Sequence, residues 1–225
     1  MIFPRVNSIN AAPSQIMRMR TLGMQLSKLE CLPNPSLEME QYPTNGELAA
    51  RWLNDMVSFG DIFRGCSVID LGAGNGILGL GSLILGAQKA TLVEADKSAI
   101  PIIQSNAESI QLAESIELVH AIVGVDEIEM RNSDLIICNP PWGKQTAKAD
   151  RPFIDEILKS RVTTHLMHSA ESRHIEAIFE KADWGIEKFA EADFALPATF
   201  GHHSSRLGKT RAAFWRLVPP HPDRS

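Results

Sequence analysis

Cysteine, tyrosine and long apolar runs are all scarce in this chain. Its 225 residues hold three cysteines, Cys31, Cys66 and Cys138, none in C-x-x-C spacing. A count that low and odd builds neither a disulfide framework nor a zinc ribbon, and it suits a reducing cytoplasm. The seven histidines never fall into H-E-x-x-H, so no metal is expected. No apolar run reaches the roughly 18 residues a membrane span needs, and the opening MIFPRVNSIN lacks the apolar core of an export signal. Internal repeats and low-complexity stretches are also missing, so the expectation is a soluble, globular, cytoplasmic protein.

Charge is nearly balanced but unevenly spread. Lys and Arg number 22 against 27 Asp and Glu, a formal net charge of −5. Taken alone, that speaks mildly against a polyanionic partner. Residues 201–225, however, carry five Arg or Lys against one Asp, with His202, His203 and His221 beside them. A local basic patch can serve an anionic substrate even on an acidic protein.

From residue 66 onward, short apolar runs alternate with amphipathic helices. Strands are expected at Ser67 to Leu71, Ala90 to Glu94, Ile116 to His120, Asp134 to Cys138, Thr163 to Met167, Gly185 to Ala192 and Arg211 to Val218. Between them, helices fit Ile77 to Leu85, Ser98 to Gln111, Pro152 to Ser160 and Glu171 to Ala182. Apolar strands alternating with helices imply a parallel sheet covered on both faces, the Rossmann-like α/β architecture. An irregular stretch joins the last two strands, which suggests an antiparallel closing hairpin. Upstream, a short helix is expected over Arg20 to Glu30, and Thr44-Asn45-Gly46-Glu47 reads as a capping box with Thr44 as N-cap of the next helix.

Two motifs carry the chemistry. Asp70-Leu71-Gly72-Ala73-Gly74-Asn75-Gly76 follows the first strand and opens a helix, with Glu94 about one βα unit later at the end of the second strand. Glycines there let a ligand approach the backbone, and a carboxylate at Glu94 can accept both hydroxyls of a ribose. Gly74 to Gly79 also matches G-x-G-x-x-G, so a dinucleotide competes for the site. A pyrophosphate beside the Asp70 carboxylate would be repelled, whereas a cofactor with a cationic amine and sulfonium, S-adenosylmethionine, suits it. The second motif, Asn139-Pro140-Pro141-Trp142, ends the fourth strand. The Asn139 side-chain oxygen and the Pro140 carbonyl can accept the two hydrogens of a planar amine, two prolines stiffen the turn, and Trp142 can stack a flipped base. The competing reading is an Asn-Pro turn with a core tryptophan.

Together the two motifs resemble class I methyltransferases acting on exocyclic or amide nitrogens. Glu40-Gln41-Tyr42-Pro43-Thr44, DLGAGNG, NPPW and Leu196-Pro197-Ala198-Thr199-Phe200, in that order, resemble a narrower group. This is the methyltransferase-like-five family, archaeal and eukaryotic N6-adenosine methyltransferases of small-subunit ribosomal RNA. The resemblance implies that Gln41, Thr44, Gly72 and Glu94 contact the donor, with Asp70, Gly74 and Gly76 in the same loop. It further implies an RNA substrate and a small zinc-bearing activator subunit at an exposed sheet edge, here Ile116 to His120. One position departs from the family. Its acidic residue after the third strand falls at Ile122, and Asp126 comes four residues later.

The expected organisation is a poorly ordered stretch over 1–18 and one domain over 19–218, then a tail over 219–225. Within the domain, helices occupy 19–60, the donor-binding half 61–145 and the substrate side 146–218. Tyr42, Lys144, Phe200 and His202 are candidate substrate contacts, each with a core or solvated-loop alternative. Two rival functions stay open: methylation of a glutamine amide in a protein, and a non-catalytic donor-binding scaffold on the ribosome.

Overall fold

An apolar run can be buried on both faces only inside a covered sheet. The structure, a computed structural model, describes residues 13–195 and 209–220. Five strands run in parallel: β1 (Ser67–Leu71), β2 (Lys89–Glu94), β3 (Ile116–His120), β4 (Leu135–Cys138) and β5 (Thr164–Ser169). Two more, β6 (Gly185–Ala195) and β7 (Lys209–Val218), complete a seven-stranded sheet of order β3-β2-β1-β4-β5-β7-β6. β7 is antiparallel to both β5 and β6. The closing hairpin therefore inserts its second strand and leaves its first at the edge. Register slips between Lys188 and Ala190, a bulge in the long edge strand.

Alternate residues of each strand feed two cores. Val68, Leu92, Leu135 and Ile137 pack on the side of α1 (Pro13–Leu26), α2 (Gly46–Phe59), α3 (Ile77–Ile84) and α4 (Ala99–Ser109), with Trp52 fully buried among them. Ile69, Leu71, Ile136 and Cys138 face α5 (Arg151–Ser160) and α6 (His174–Lys181). Trp184 and Trp215 belong to this second core, as core tryptophans should.

Two N-terminal expectations need correcting. The first helix begins at Pro13, not near residue 20, with proline in the first helical turn where its missing N–H costs nothing. Residues 1–12 lie outside the described residues. The cap of α2 is Asn45, whose side chain accepts the Leu48 N–H at 2.8 Å; Thr44 lies one residue further out. The first helical position is glycine because α1 presses against it. A Cβ at that position would lie 2.6 Å from the Ser27 nitrogen and 2.7 Å from the Gly23 oxygen. Among the described residues, no helix is long and apolar enough to cross a membrane.

Just beyond α2, Asp61 ties the helix end to the sheet. Its carboxylate takes two bonds from Arg216 on β7, at 2.6 and 2.8 Å, and faces His165 Nε2 on β5 at 2.7 Å. Burial alone would raise the Asp61 pKa, but the Arg216 and His165 bonds outweigh it and hold it at about 2. A depressed carboxylate stabilises the fold above its unfolded value of 3.8 and loses that contribution as pH falls toward 2. Asp61→Asn should therefore lower stability at pH 7 by roughly 2–4 kcal/mol, and the deficit should shrink between pH 5 and pH 2. Urea unfolding across that range measures it; a deficit independent of pH would contradict the ion-pair account.

Candidate active site

In a parallel sheet, the loops at the carboxyl ends of adjacent strands lie side by side. β1 and β4 are such neighbours, with Leu71 paired to Cys138 in register. The glycine loop leaves one and Asn139-Pro140-Pro141-Trp142 the other. Between them opens a cavity of about 470 Å³, within the range of small-molecule sites.

Gln41, Tyr42, Thr44, Gly72, Gly74, Glu94, Asn139 and Pro141 all line this cavity. Gly72 and Gly74 hold positive φ, +83° and +58°, and a Cβ at Gly74 would meet open space. Glu94 is buried, its two oxygens accepting the Gly74 N–H at 2.7 Å and the Asp96 N–H at 2.9 Å. Each oxygen keeps a further lone pair. Burial, with a smaller push from Asp96, raises the Glu94 pKa against those two bonds. Gln41 donates to the Asp96 carboxylate at 3.0 Å and accepts the Ser36 N–H at 2.6 Å.

Other expected residues stand one layer back. Asp70 is behind the loop, where one oxygen accepts the Gly79 N–H at 2.7 Å and the other, buried, has no hydrogen-bond partner. Gly76 is also outside the lining, at φ +85° above Ile103, Leu80 and Leu92. Trp142 turns its ring away from the cavity, stacking on His168 (centroids 5.8 Å, planes 22° apart) and tilting against Phe194 at 5.0 Å. Its indole N–H reaches the Asn139 side-chain oxygen at 3.2 Å, while the Asn139 amide nitrogen faces the Thr44 hydroxyl at 3.4 Å. Lys144 leans over the Trp142 ring and contacts Thr210. The Tyr42 hydroxyl is buried without a partner. Phe200, His202 and the Leu196 to Phe200 segment lie outside the described residues. Ile122 lines the cavity, and Asp126 does not, its carboxylate instead accepting the Ile122 N–H at 2.7 Å.

Glu40 was not anticipated as a site residue. It is buried, lines the cavity, and accepts the N–H groups of Trp142 and Gln145. Its only sequence signal was membership of the EQYPT segment. A second unanticipated group, Asp150, His168 and His174, brings three ligand-type atoms within 4.8 Å. A backbone N–H can only donate, so the Ser169 N–H leaves His168 Nδ1 as acceptor (2.8 Å) and its proton on Nε2. Nε2 thus turns a proton toward Asp150 rather than a lone pair toward a metal. Cys138 is no nucleophile: burial, and secondarily Asp70, pushes its thiol far above the ordinary range.

The donor set of the cavity is one-sided. Glu38, Glu40 and Glu94 line it, and among its described lining residues there is no Lys, Arg or His. Such a wall suits a ligand bearing cationic groups and no phosphate, so its chemistry fits S-adenosylmethionine better than a dinucleotide. Comparison with known proteins agrees. Residues 43–140 match the family model of ribosomal protein L11 methyltransferase (PrmA). An rRNA N(6)-adenosine-methyltransferase METTL5 from Danio rerio is 27% identical over 90% of this chain and all of its own length. An uncharacterized Methanocaldococcus jannaschii protein is 29% identical over 90% of this chain and 94% of its own. A crystal structure from Pyrococcus horikoshii superposes with a TM-score of 0.79 at 29% identity, covering 90% of this chain and 98% of the other. The chain has the fold of the class I methyltransferases. Within that class, it resembles the METTL5 proteins along nearly its whole length, as the order of its motifs suggested.

In this methyltransferase, Asp70 makes the loop pH-sensitive. Burial pushes its pKa from 3.8 up to about 7 against the Gly79 bond, and Glu94 adds to the rise. A raised carboxylate penalises the fold increasingly as pH climbs from about 4 to about 7, by a few kcal/mol in all. Asp70→Asn removes that penalty, so its melting temperature relative to wild type should rise between pH 5 and pH 8 in the absence of donor. An unchanged difference across that range would contradict the assignment.

Proposed function

We propose that this methyltransferase transfers a methyl group from S-adenosylmethionine to the exocyclic N6 amine of an adenosine in structured RNA, with small-subunit ribosomal RNA the favoured substrate. The observation that carries the reading is the adjacency, on paired strands, of an Asn-Pro-Pro-Trp turn and a cavity whose described lining is acidic and holds no cation. The METTL5 relatives act on rRNA adenosine by name, and the likeness to them spans nearly the whole chain.

S-adenosylmethionine, when bound, supplies an electrophilic methyl group. Glu94 would hold its ribose hydroxyls, with Gln41, Thr44, Gly72 and Gly74 around it and Asp70 and Gly76 shaping the loop from behind. The Asn139 side-chain oxygen and the Pro140 carbonyl accept the two amine hydrogens, freeing the nitrogen lone pair from the ring. Pro140 and Pro141 keep those acceptors aimed without an entropic cost at each turnover. Trp142 holds the Asn139 oxygen through its indole N–H, and stacking a base would require its ring to leave His168. No residue is assigned as general base, since the departing proton can pass to water. Tyr42 and Lys144, with Phe200 and His202 beyond the described residues, remain candidate substrate contacts.

An activator subunit would have a sheet edge to dock on. Among the described residues β3 pairs only with β2, and it is half exposed along its length, an edge open to strand addition by an activator subunit. Full activity of the isolated monomer would count against that partner.

Labelled methyl transfer to unmodified small-subunit rRNA, digested to nucleosides, should place the label in N6-methyladenosine. Asn139→Ala should cut kcat by roughly 100-fold while leaving donor affinity nearly intact, whereas Glu94→Ala should act mainly on donor affinity. Label in protein but not RNA would favour the glutamine-amide reading; donor binding without any transfer would favour a scaffold.

A further inference from the structure

A glutamate rarely adopts a left-handed backbone, yet Glu40 sits at φ +51° and is 6% exposed. The Cβ clash that disfavours this region persists only where surrounding contacts over-determine it. Here they do. The Glu40 N–H donates to the Leu37 oxygen at 3.1 Å, and its carbonyl accepts the Tyr42 N–H at 2.7 Å. One carboxylate oxygen accepts the Trp142 N–H at 2.7 Å and the other the Gln145 N–H at 2.8 Å. Every polar group of this residue is engaged, and both side-chain bonds end on the loop that carries Asn139.

A buried carboxylate accepting two backbone N–H groups is a strong fastener because both bonds are charge-assisted. Among the described residues it is also the only acceptor those two amides have, in a stretch without helix or strand to order it. The neighbouring residues extend the tie. Gln41 binds Asp96 beside Glu94, and Thr44 faces Asn139. Segment 36–44 thus bridges the cavity rim and the Asn-Pro-Pro-Trp turn, with Glu40 at the turn end.

We infer that Glu40 is a positioning residue: its carboxylate fixes the backbone of residues 142–145 and so holds Asn139 in the geometry that receives the substrate amine. The inference rests on the reading of that turn as the acceptor side. Gln is the informative replacement. It keeps the size but offers one acceptor oxygen and an NH2 group, which must leave one of the two loop amides unpaired.

The test is Glu40→Gln, read in three ways. Donor affinity by calorimetry should fall less than turnover does, by no more than the loss of one charge from the cavity wall accounts for. Turnover on rRNA should fall at least tenfold with KM for RNA little changed. Amide hydrogen exchange at Trp142 and Gln145 should accelerate at least tenfold, while core amides such as Ile69 keep their wild-type rates. A merely stabilising role would instead quicken the core amides with the loop. Wild-type turnover together with wild-type exchange at Trp142 and Gln145 would overturn the inference. If the wild-type protein itself transfers no methyl group to RNA, the proposed function fails, and the exchange data still decide the role of Glu40. Should the variant not fold, wild-type exchange suffices: the Trp142 and Gln145 amides should be at least tenfold slower than that of Ala147, and equal rates would overturn the proposal.

Discussion

The parallel pairing of β1 with β4 is the constraint on which the site depends. It sets Leu71 opposite Cys138, so the two chains leave the sheet at one level and turn outward together. A shift of register would send the glycine loop and the Asn-Pro-Pro-Trp turn to different depths, and a one-residue slip would turn every side chain to the opposite face. The register is pinned by burial. β4 is apolar on both faces and β1 is so except at Ser67 and Asp70, and their alternate apolar residues are locked into two separate cores. The chemistry inherits its geometry from that packing.

A sheet alone would leave the cavity open on one side. The segment between α1 and α2 closes it, and it does so through polar contacts rather than burial of a large apolar face. Gln41, Thr44 and Glu40 reach three different parts of the rim. α1 packs closely on Gly46 just past this segment, and the Asn45 cap leaves the Thr44 hydroxyl free to face Asn139. A capping assignment off by one residue therefore matters to the site: had Thr44 capped the helix, its hydroxyl would have been spent on the backbone.

Strands buried on both faces were the most legible part of the sequence. Ser67–Leu71 stands where its apolar run puts it, and even the half-exposed edge Ile116–His120 keeps its expected bounds, because Val, Ile and Leu between turn residues leave little choice. Helix ends were less legible: α6 starts at His174, since residues 169–172 form a turn closed by the Ser172 N–H on the Ser169 oxygen. The cavity-facing residues Gln41, Thr44, Gly72, Gly74, Glu94 and Asn139 were named from motifs, and the structure gathers them around one space. Local pattern says nothing about which contacts cross 100 positions, so the Glu40 tie to Trp142 and Gln145 stayed hidden. The ring of Trp142 is a similar case. Its motif suggests an open stacking face, but His168 and Phe194 arrive from β5 and β6, which the tetrapeptide does not encode.

The central claim is that one cavity seats the methyl donor directly against the Asn139 turn. Amide chemical-shift mapping of labelled protein titrated with S-adenosylmethionine tests it most directly. The account predicts saturable shifts at Gly72, Gly74 and Ala95 on one wall and at Thr44 and Asn139 on the other, with β6 undisturbed. No saturable shift, or shifts that spare the glycine loop and Asn139 while moving another surface, would contradict it.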